Sequence, residues 1–546
     1  MTLLTLLLGA LSLSAHALAS SAPTAKTRNG TYEGLHLPQW NQDAFLGVPF
    51  AQPPVGNLRW RWPQSLNSSF REVRKAVAYG HTCHQHPEPL SDYDEDCLVL
   101  NIVRPSSYKG KLPVLIWIYG GGLARGSSAD PKFNLSGLVQ TAQQAGQPII
   151  GVSINYRLDL WGFLQSPQIL AEGSSNAGLL DQRMAFRWIQ ENIGAFGGDT
   201  SRVTVWGESA GAQSIGLHLV SYNGRNDRLF SGAILESGGP AGTSLNALPF
   251  YNAPFENLTR TVGCWNAPDR LACMRGLPAS AIFAANTAVT WNPIVDGDFL
   301  TDYPSDAIVK GKFVKVPLIT GSNSDEGTTF SLQGLNTSTD LFNGLLLWRD
   351  YNLSPPTIRR LLELYPDDHK TPKPPYAVPP SVSFSQNGAQ WRRSAAIGGD
   401  LVMIAQRRKV AEVYTAAGLP VYSYRFDTPV FNADITAGAN HGCNVVFSFQ
   451  NITGALGPVP PFAGYKTVSL EVGRAYANFA ATRDPNGSSR YKSGPKGSLP
   501  RWPKYDLHRP TNMVFNSNGS FVENDTWRKA GIAFINQPSV WREILT

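Results

Sequence analysis

Arg202-Val203-Thr204-Val205-Trp206-Gly207-Glu208-Ser209-Ala210-Gly211 decides the fold of this chain. Arg202–Trp206 has the β-branched and aromatic content of a buried strand. Ala212–Val220, directly downstream, suits a helix. A serine flanked by Gly207 and Gly211 at such a strand-to-helix change is the G-x-S-x-G arrangement, whose glycines permit a tight turn that lifts the hydroxyl above a sheet. The five-residue pattern alone is common. Its position between a strand and a helix makes Ser209 the candidate nucleophile.

Upstream of the motif, the apolar run Leu112–Tyr119 ends in Gly120-Gly121-Gly122. A glycine triplet at a strand end lets backbone N–H groups approach a substrate carbonyl without side-chain obstruction, so Gly121, Gly122 and the N–H of Ala210 are candidate oxyanion donors. Further short apolar runs, Ile149–Asn155, Gly232–Glu236, Val316–Thr320 and Val421–Arg425, are bounded by Gly, Pro or Asn and suit strands covered on both faces. Gly178–Phe196 carries apolar residues at helical spacing. Strand alternating with helix predicts an α/β fold with a large, mostly parallel central sheet and helices on both faces. Residues 27–60 read as an antiparallel meander with turns at Asn29-Gly30 and Pro53-Pro54. The stretches 238–312 and 328–415 break the alternation and are expected to be helical, cap-like insertions over the C-terminal edge of the sheet, where such folds place their sites. Residues 20–546 are read as one catalytic domain, with the Pro-rich stretch 372–380 an ordered loop.

Composition agrees with a globular chain, 42% hydrophobic and 16% charged over 546 residues. The net charge of +7 is spread out. The densest basic run, Arg407-Arg408-Lys409, reads as a solvated helix face, so a nucleic-acid partner is not expected. Leu3–Leu13 is a short apolar run followed by Ala15-His16-Ala17-Leu18-Ala19, which predicts a signal peptide over 1–19 rather than a membrane span. The expectation is a secreted protein without a transmembrane segment. N-x-S/T sequons recurring from Asn29 to Asn524 agree with export and with glycosylation. Of five cysteines, Cys264 and Cys273 are close in sequence and expected to pair in an oxidising compartment.

Several further blocks carry a resemblance. They are Phe45-Leu46-Gly47-Val48-Pro49-Phe50-Ala51, Glu95-Asp96-Cys97-Leu98, Asn155-Tyr156-Arg157, Gly178-Leu179-Leu180-Asp181-Gln182-Arg183 and Phe196-Gly197-Gly198-Asp199. With the serine motif they make the chain resemble the carboxylesterase/lipase type B family, the cholinesterase-like α/β-hydrolases, over nearly its whole mature length. The resemblance implies an α/β-hydrolase fold and a Ser–Glu–His triad in that chain order. Asp325-Glu326-Gly327 matches the acid motif and assigns the acid to Glu326. Asn440-His441-Gly442 matches the histidine motif and assigns the base to His441. The resemblance also implies a Cys83–Cys97 disulfide, which leaves Cys443 as a buried free thiol, and partly buried ion pairs Arg157–Asp181 and Arg59–Glu95. His81, Cys83, His84 and His86 would otherwise suggest a metal cluster. With Cys83 in a disulfide, neither a metal nor an organic cofactor is expected.

Departures from the family bear on substrate. Leu123 stands where many members have an aromatic residue, and Asn444 where an acidic residue often follows the histidine. The Cys83–Cys97 span is short beside the lid of family lipases, and it lacks the tryptophan that holds a quaternary ammonium, so choline esters are not expected. Leu123, Glu208, Trp291 and Phe330 are candidate pocket walls. The reading that follows is a serine carboxylic ester hydrolase acting on a small-molecule ester, of short to medium chain or aromatic. A lipase or sterol esterase is the alternative, and a non-catalytic binding protein the alternative of another class. The sequence leaves the oligomeric state open.

Overall fold

In a computed structural model the described residues are 22–545, apart from 86–91, 243, 287–289, 432, 453–462 and 488–499. The expected signal peptide lies outside them. Continuous apolar runs such as Val114-Leu115-Ile116-Trp117-Ile118, each residue 0% exposed, have no polar face to turn to water. They therefore form central strands of a sheet covered on both sides. Its strands are β1 (Leu35–Leu37), β2 (Gln42–Pro49), β3 (Val99–Pro105), β4 (Leu112–Ile118), β5 (Ile150–Ile154) and β6 (Gly198–Glu208). They continue as β7 (Gly232–Glu236), β8 (Leu318–Asn323), β9 (Val421–Phe426), β10 (Thr511–Phe515) and β11 (Phe521–Asn524).

The spatial order is β1-β2-β3-β5-β4-β6-β7-β8-β9-β10-β11. From β5 to β10 all neighbours are parallel, with Ile116 opposite Val205 and Trp206 opposite Ile234. The outer pairs are antiparallel. A separate small sheet joins Thr24–Lys26, Thr31–Glu33 and Arg74–Lys75.

Helix α1 spans Ala177–Asn192, and α2, Ala210–Gly224, starts at the elbow and packs on β6 and β7. Between β7 and β8 run short helices such as Asn252–Thr261 and Pro304–Val309. Between β8 and β9 lie Ser338–Leu346, Pro355–Leu364, α3 (Trp391–Gly399) and α4 (Ala405–Ala416), the last two joined by a π-helical turn at Asp400–Ile404. Helix α5 (Ala463–Thr482) packs against β4 and β6. No helix among the described residues is long and apolar enough to cross a membrane.

Three expectations need correction. The meander ends at Pro49, and beyond it lies only a short helical turn at Gly56–Leu58. The run Val316–Thr320 becomes a strand only from Leu318. The basic run is not a solvated face: Arg407 is 0% and Arg408 4% exposed, and both guanidinium groups fork onto buried Asp525 at 2.6 and 2.7 Å. Helix α4 lies over β9 and turns these arginines toward a carboxylate more than a hundred residues downstream.

Strands β3, β10 and β11 give no clear signal in the sequence. Buried Asn101 interrupts the apolar run of β3 and is satisfied by Ser128 and Ser153, which approach only in the folded chain. Both ion pairs form as expected, Arg157–Asp181 and Arg59–Glu95 each at 2.7 Å. The disulfides are Cys83–Cys97 and Cys264–Cys273, and Cys443 is free and buried. Of the suggested metal cluster, Cys83 is thus in a disulfide, His81 Nδ1 meets Asp92 at 2.7 Å, and His84 stacks on Trp161. His86 lies outside the described residues.

Candidate active site

Close approach of α2 to β4 shapes the turn between β6 and α2. A side chain at Gly211 would sit 2.0 Å from the Ile118 carbonyl, so only glycine lets the helix descend this far. Ser209 is held at φ 56°, ψ −126°, outside the ordinary minima of a non-glycine residue. Such strain persists only where the surroundings over-determine it. Here the Ser209 N–H donates to the Glu236 carbonyl on β7, and the Ser209 carbonyl accepts from Gln213 in α2.

The structure brings His441 and Glu326 to this serine from two other connections. Ser209 Oγ lies 2.8 Å from His441 Nε2, and His441 Nδ1 lies 2.7 Å from Glu326 Oε2. An ionised carboxylate only accepts hydrogen bonds, so Nδ1 carries the proton and Nε2 is left to accept from the serine hydroxyl. Glu326 is fully buried, and its second oxygen accepts from the Asn323 backbone N–H at 2.7 Å. Burial disfavours the imidazolium of His441, but the carboxylates of Glu208 and Glu326 outweigh it and raise the pKa above 6.5.

Two residues that the sequence did not single out as functional hold these loops. Asn323 Nδ2 donates to the Asn440 carbonyl at 2.7 Å and to Asn444 Oδ1 at 2.9 Å. Asp325 accepts from the backbone N–H groups of Ala439 and Tyr376 at 2.8 and 2.9 Å. A carboxylate beside the matched acid was the one available signal. Its use in clamping the histidine loop requires the two loops to be neighbours in space.

Gly120 lies against the elbow, and Gly121 and Gly122 follow it. A Cβ at Gly120 would come within 2.8 Å of Ser209 Cβ, and Gly121 and Gly122 have φ of 100° and 68°. Ala210 opens α2, where a backbone N–H has no partner within the helix. Of the candidate pocket walls, Glu208 Oε1 is 3.4 Å from His441 Nε2, and the Phe330 ring packs 4.9 Å from the His441 ring. Arg349 lies over the same Phe330 ring, 5.2 Å from its centroid. Leu123 is buried just past the glycines. Trp291 stacks on Tyr251, bonds Asn286, and lines a cavity of about 100 Å³ with Asn257 and Leu258.

Comparison with known proteins agrees with this architecture. Residues 21–531 match the model of the carboxylesterase family. Lipase 4 of Diutina rugosa is 33% identical, the match covering 95% of this chain and 97% of that protein. Secreted lipase 1 of Botryotinia fuckeliana is 32% identical over 91% and 90%. The crystal structure of Aspergillus niger EstA superposes with a TM-score of 0.83 at 27% identity, covering 95% of this chain and 99% of that one. Likeness of this extent, in sequence and in backbone, makes the chain a member of the carboxylesterase family and a carboxylic ester hydrolase.

Proposed function

We propose that Ser209, His441 and Glu326 form a catalytic triad, with Gly121, Gly122 and Ala210 supplying the oxyanion donors. The observation that carries this reading is the unbroken hydrogen-bonded line from the Ser209 hydroxyl through the imidazole to a fully buried carboxylate. As the hydroxyl attacks the ester carbonyl, His441 Nε2 takes its proton, and Glu326 stabilises the imidazolium without being protonated itself. The backbone donors receive the charge developing on the carbonyl oxygen. His441 passes its proton to the leaving alcohol. It then takes one from water, which attacks the acyl-enzyme, and returns that proton to Ser209 Oγ as the acyl–oxygen bond breaks and the acid leaves. Only a neutral imidazole can begin this cycle, so kcat/KM falls as pH drops through the raised pKa of His441.

The substrates in this reading are short- to medium-chain or aromatic esters. Phe330 beside the imidazole supplies an aromatic wall. The short Cys83–Cys97 span offers little length for a lid, and residues 238–312 and 328–415 act as the cap around the site. Hydrolysis of long-chain esters is the second reading, favoured by relatives named as lipases. The enzyme acts outside the cell: two disulfides suit an oxidising compartment, and one relative is named as secreted.

Hydrolysis of p-nitrophenyl esters from acetate to palmitate, by wild type and Ser209→Ala, tests both parts. Activity abolished in the variant and highest at short chains is the expected result. Undiminished hydrolysis by Ser209→Ala would remove the serine from its role. An optimum at long chains with a jump at the micelle threshold would favour the lipase reading.

A further inference from the structure

At the elbow two buried glutamates stand on neighbouring strands, and neither takes part in the proton transfers proposed for the triad. Strand β6 ends on Glu208 and β7 on Glu236, and the two residues are direct partners in the parallel ladder. Their side chains therefore leave the same face of the sheet, on strands about 4.8 Å apart. Glu208 is 8% and Glu236 0% exposed.

Glu236 Oε1 accepts from Ser448 Oγ at 2.8 Å and from the Tyr476 hydroxyl, while Oε2 accepts from none of the described residues. Glu208 Oε1 likewise accepts no hydrogen bond and faces His441 Nε2. Among the described residues no arginine or lysine forms an ion pair with either carboxyl. Lys132, whose charge reaches Glu208, is itself paired with Asp130. The Trp206 indole and Tyr424, which adjoins Tyr476, complete the polar surroundings of Glu236.

Two buried carboxyl groups on paired strand positions, one feeling the charge of the other, do not ionise independently. Burial is the main influence on both and pushes each up to about 7. For Glu208 the His441 charge opposes that rise and Glu326 adds to it. For Glu236 the Tyr476 and Ser448 hydrogen bonds oppose it and the Glu208 charge adds to it. His441 faces Glu208 and Glu326, with Arg349 the opposing positive charge.

We propose that Glu208 and Glu236 hold one proton between them near neutral pH, so that Glu236 governs how much negative charge Glu208 presents to His441. Glu236 is then a positioning residue, remote from the substrate. When the imidazolium forms, the shared proton rests on Glu236 and leaves Glu208 ionised beside His441. The inference rests on His441 being the catalytic base.

The test is the pH profile of Glu236→Gln, whose amide keeps the shape of the side chain but takes no proton from the pair. Glu208 then ionises at lower pH, His441 faces a full carboxylate, and the acid limb of kcat/KM moves upward by about half a unit or more. Simple loss of a nearby negative charge predicts the opposite direction. An unmoved or downward-shifted limb therefore overturns the proposal. Tyr476→Phe, which removes a donor to ionised Glu236 and so biases the shared proton toward it, is expected to shift the limb the same way. Should Glu236→Gln not fold, Tyr476→Phe decides by the same criterion. Titration of His441 by NMR in a Ser209→Ala background gives the same readout without hydrolysis. Retained activity in Ser209→Ala would defeat the triad, whereas a His441 titration unmoved by Glu236→Gln would defeat only the carboxyl pair.

Discussion

Gly121 and Gly122 look interchangeable in the sequence, yet a side chain meets different surroundings at each. At Gly121 a Cβ would lie 2.1 Å from the Arg125 carbonyl, in a backbone with φ of 100°. At Gly122 nothing lies within 4 Å, although φ is 68°. Gly121→Ala must therefore move the loop that carries the proposed donors, whereas Gly122→Ala bears only the local cost of its conformation. The expected result is a fall in kcat of about 10²–10³-fold for Gly121→Ala and a smaller fall for Gly122→Ala. Steady-state kinetics on one short-chain ester checks the ranking, and equal losses would place the donors elsewhere. Gly211 stands apart from both, since its Cβ would strike the backbone of β4 and displace the helix that starts at the serine.

Helix α4 is held in place by charge as well as by apolar contact. Arg407 and Arg408 both donate to Asp525, which also accepts from the Tyr505 hydroxyl and from Asn512. Burial alone would raise the pKa of Asp525, but the two guanidinium groups outweigh it and hold the carboxyl well below the usual range. A depressed carboxylate stabilises the fold above its unfolded pKa of about 4, and that contribution is lost as pH falls toward the folded value. Asp525→Asn would leave two buried arginines without their counter-charge. It should cost about 3–5 kcal/mol at neutral pH, read by urea denaturation, with a smaller deficit in acid. One side chain likewise orders the Pro-rich loop: the Arg392 guanidinium donates to the carbonyls of Lys373, Pro374, Pro375, Val378, Pro379 and Val382. That loop looked ordered in the sequence only because nothing near it resembled a linker.

For the molecule as a whole, one sheet carries strands from residue 35 to residue 524, and the proposed site draws on connections widely separated along it. Cross-links confine the loops around that sheet. The Cys83–Cys97 bridge has a sequence separation of 14, and a loop of that size is worth about 3 kcal/mol in the chain-entropy account. A Cys83→Ser, Cys97→Ser variant should lose about that much stability in denaturant titrations while keeping Ser209-dependent hydrolysis. Loss of hydrolysis in a variant that remains folded would give the bridged span a direct part in the site.

Where sequence and structure agree, the signal is local. The elbow occupies ten consecutive residues, and a strand, two glycines and a helix suffice to specify it. Apolar runs marked the central strands for the same reason, because burial on both faces leaves few polar positions in them, such as Ser153, Thr204 and Ser423. Glu326 and His441 were legible only through short motifs shared with a family, since nothing in their own neighbourhoods says what they face. Tertiary structure alone decided what depends on strand order and register. Ser209 meets His441 across 232 residues, Arg407 finds Asp525 across 118, and Glu208 lies beside Glu236 because β6 and β7 pair in that register. Local propensity selects elements, but these partnerships arise when strands distant in the chain become neighbours in one sheet.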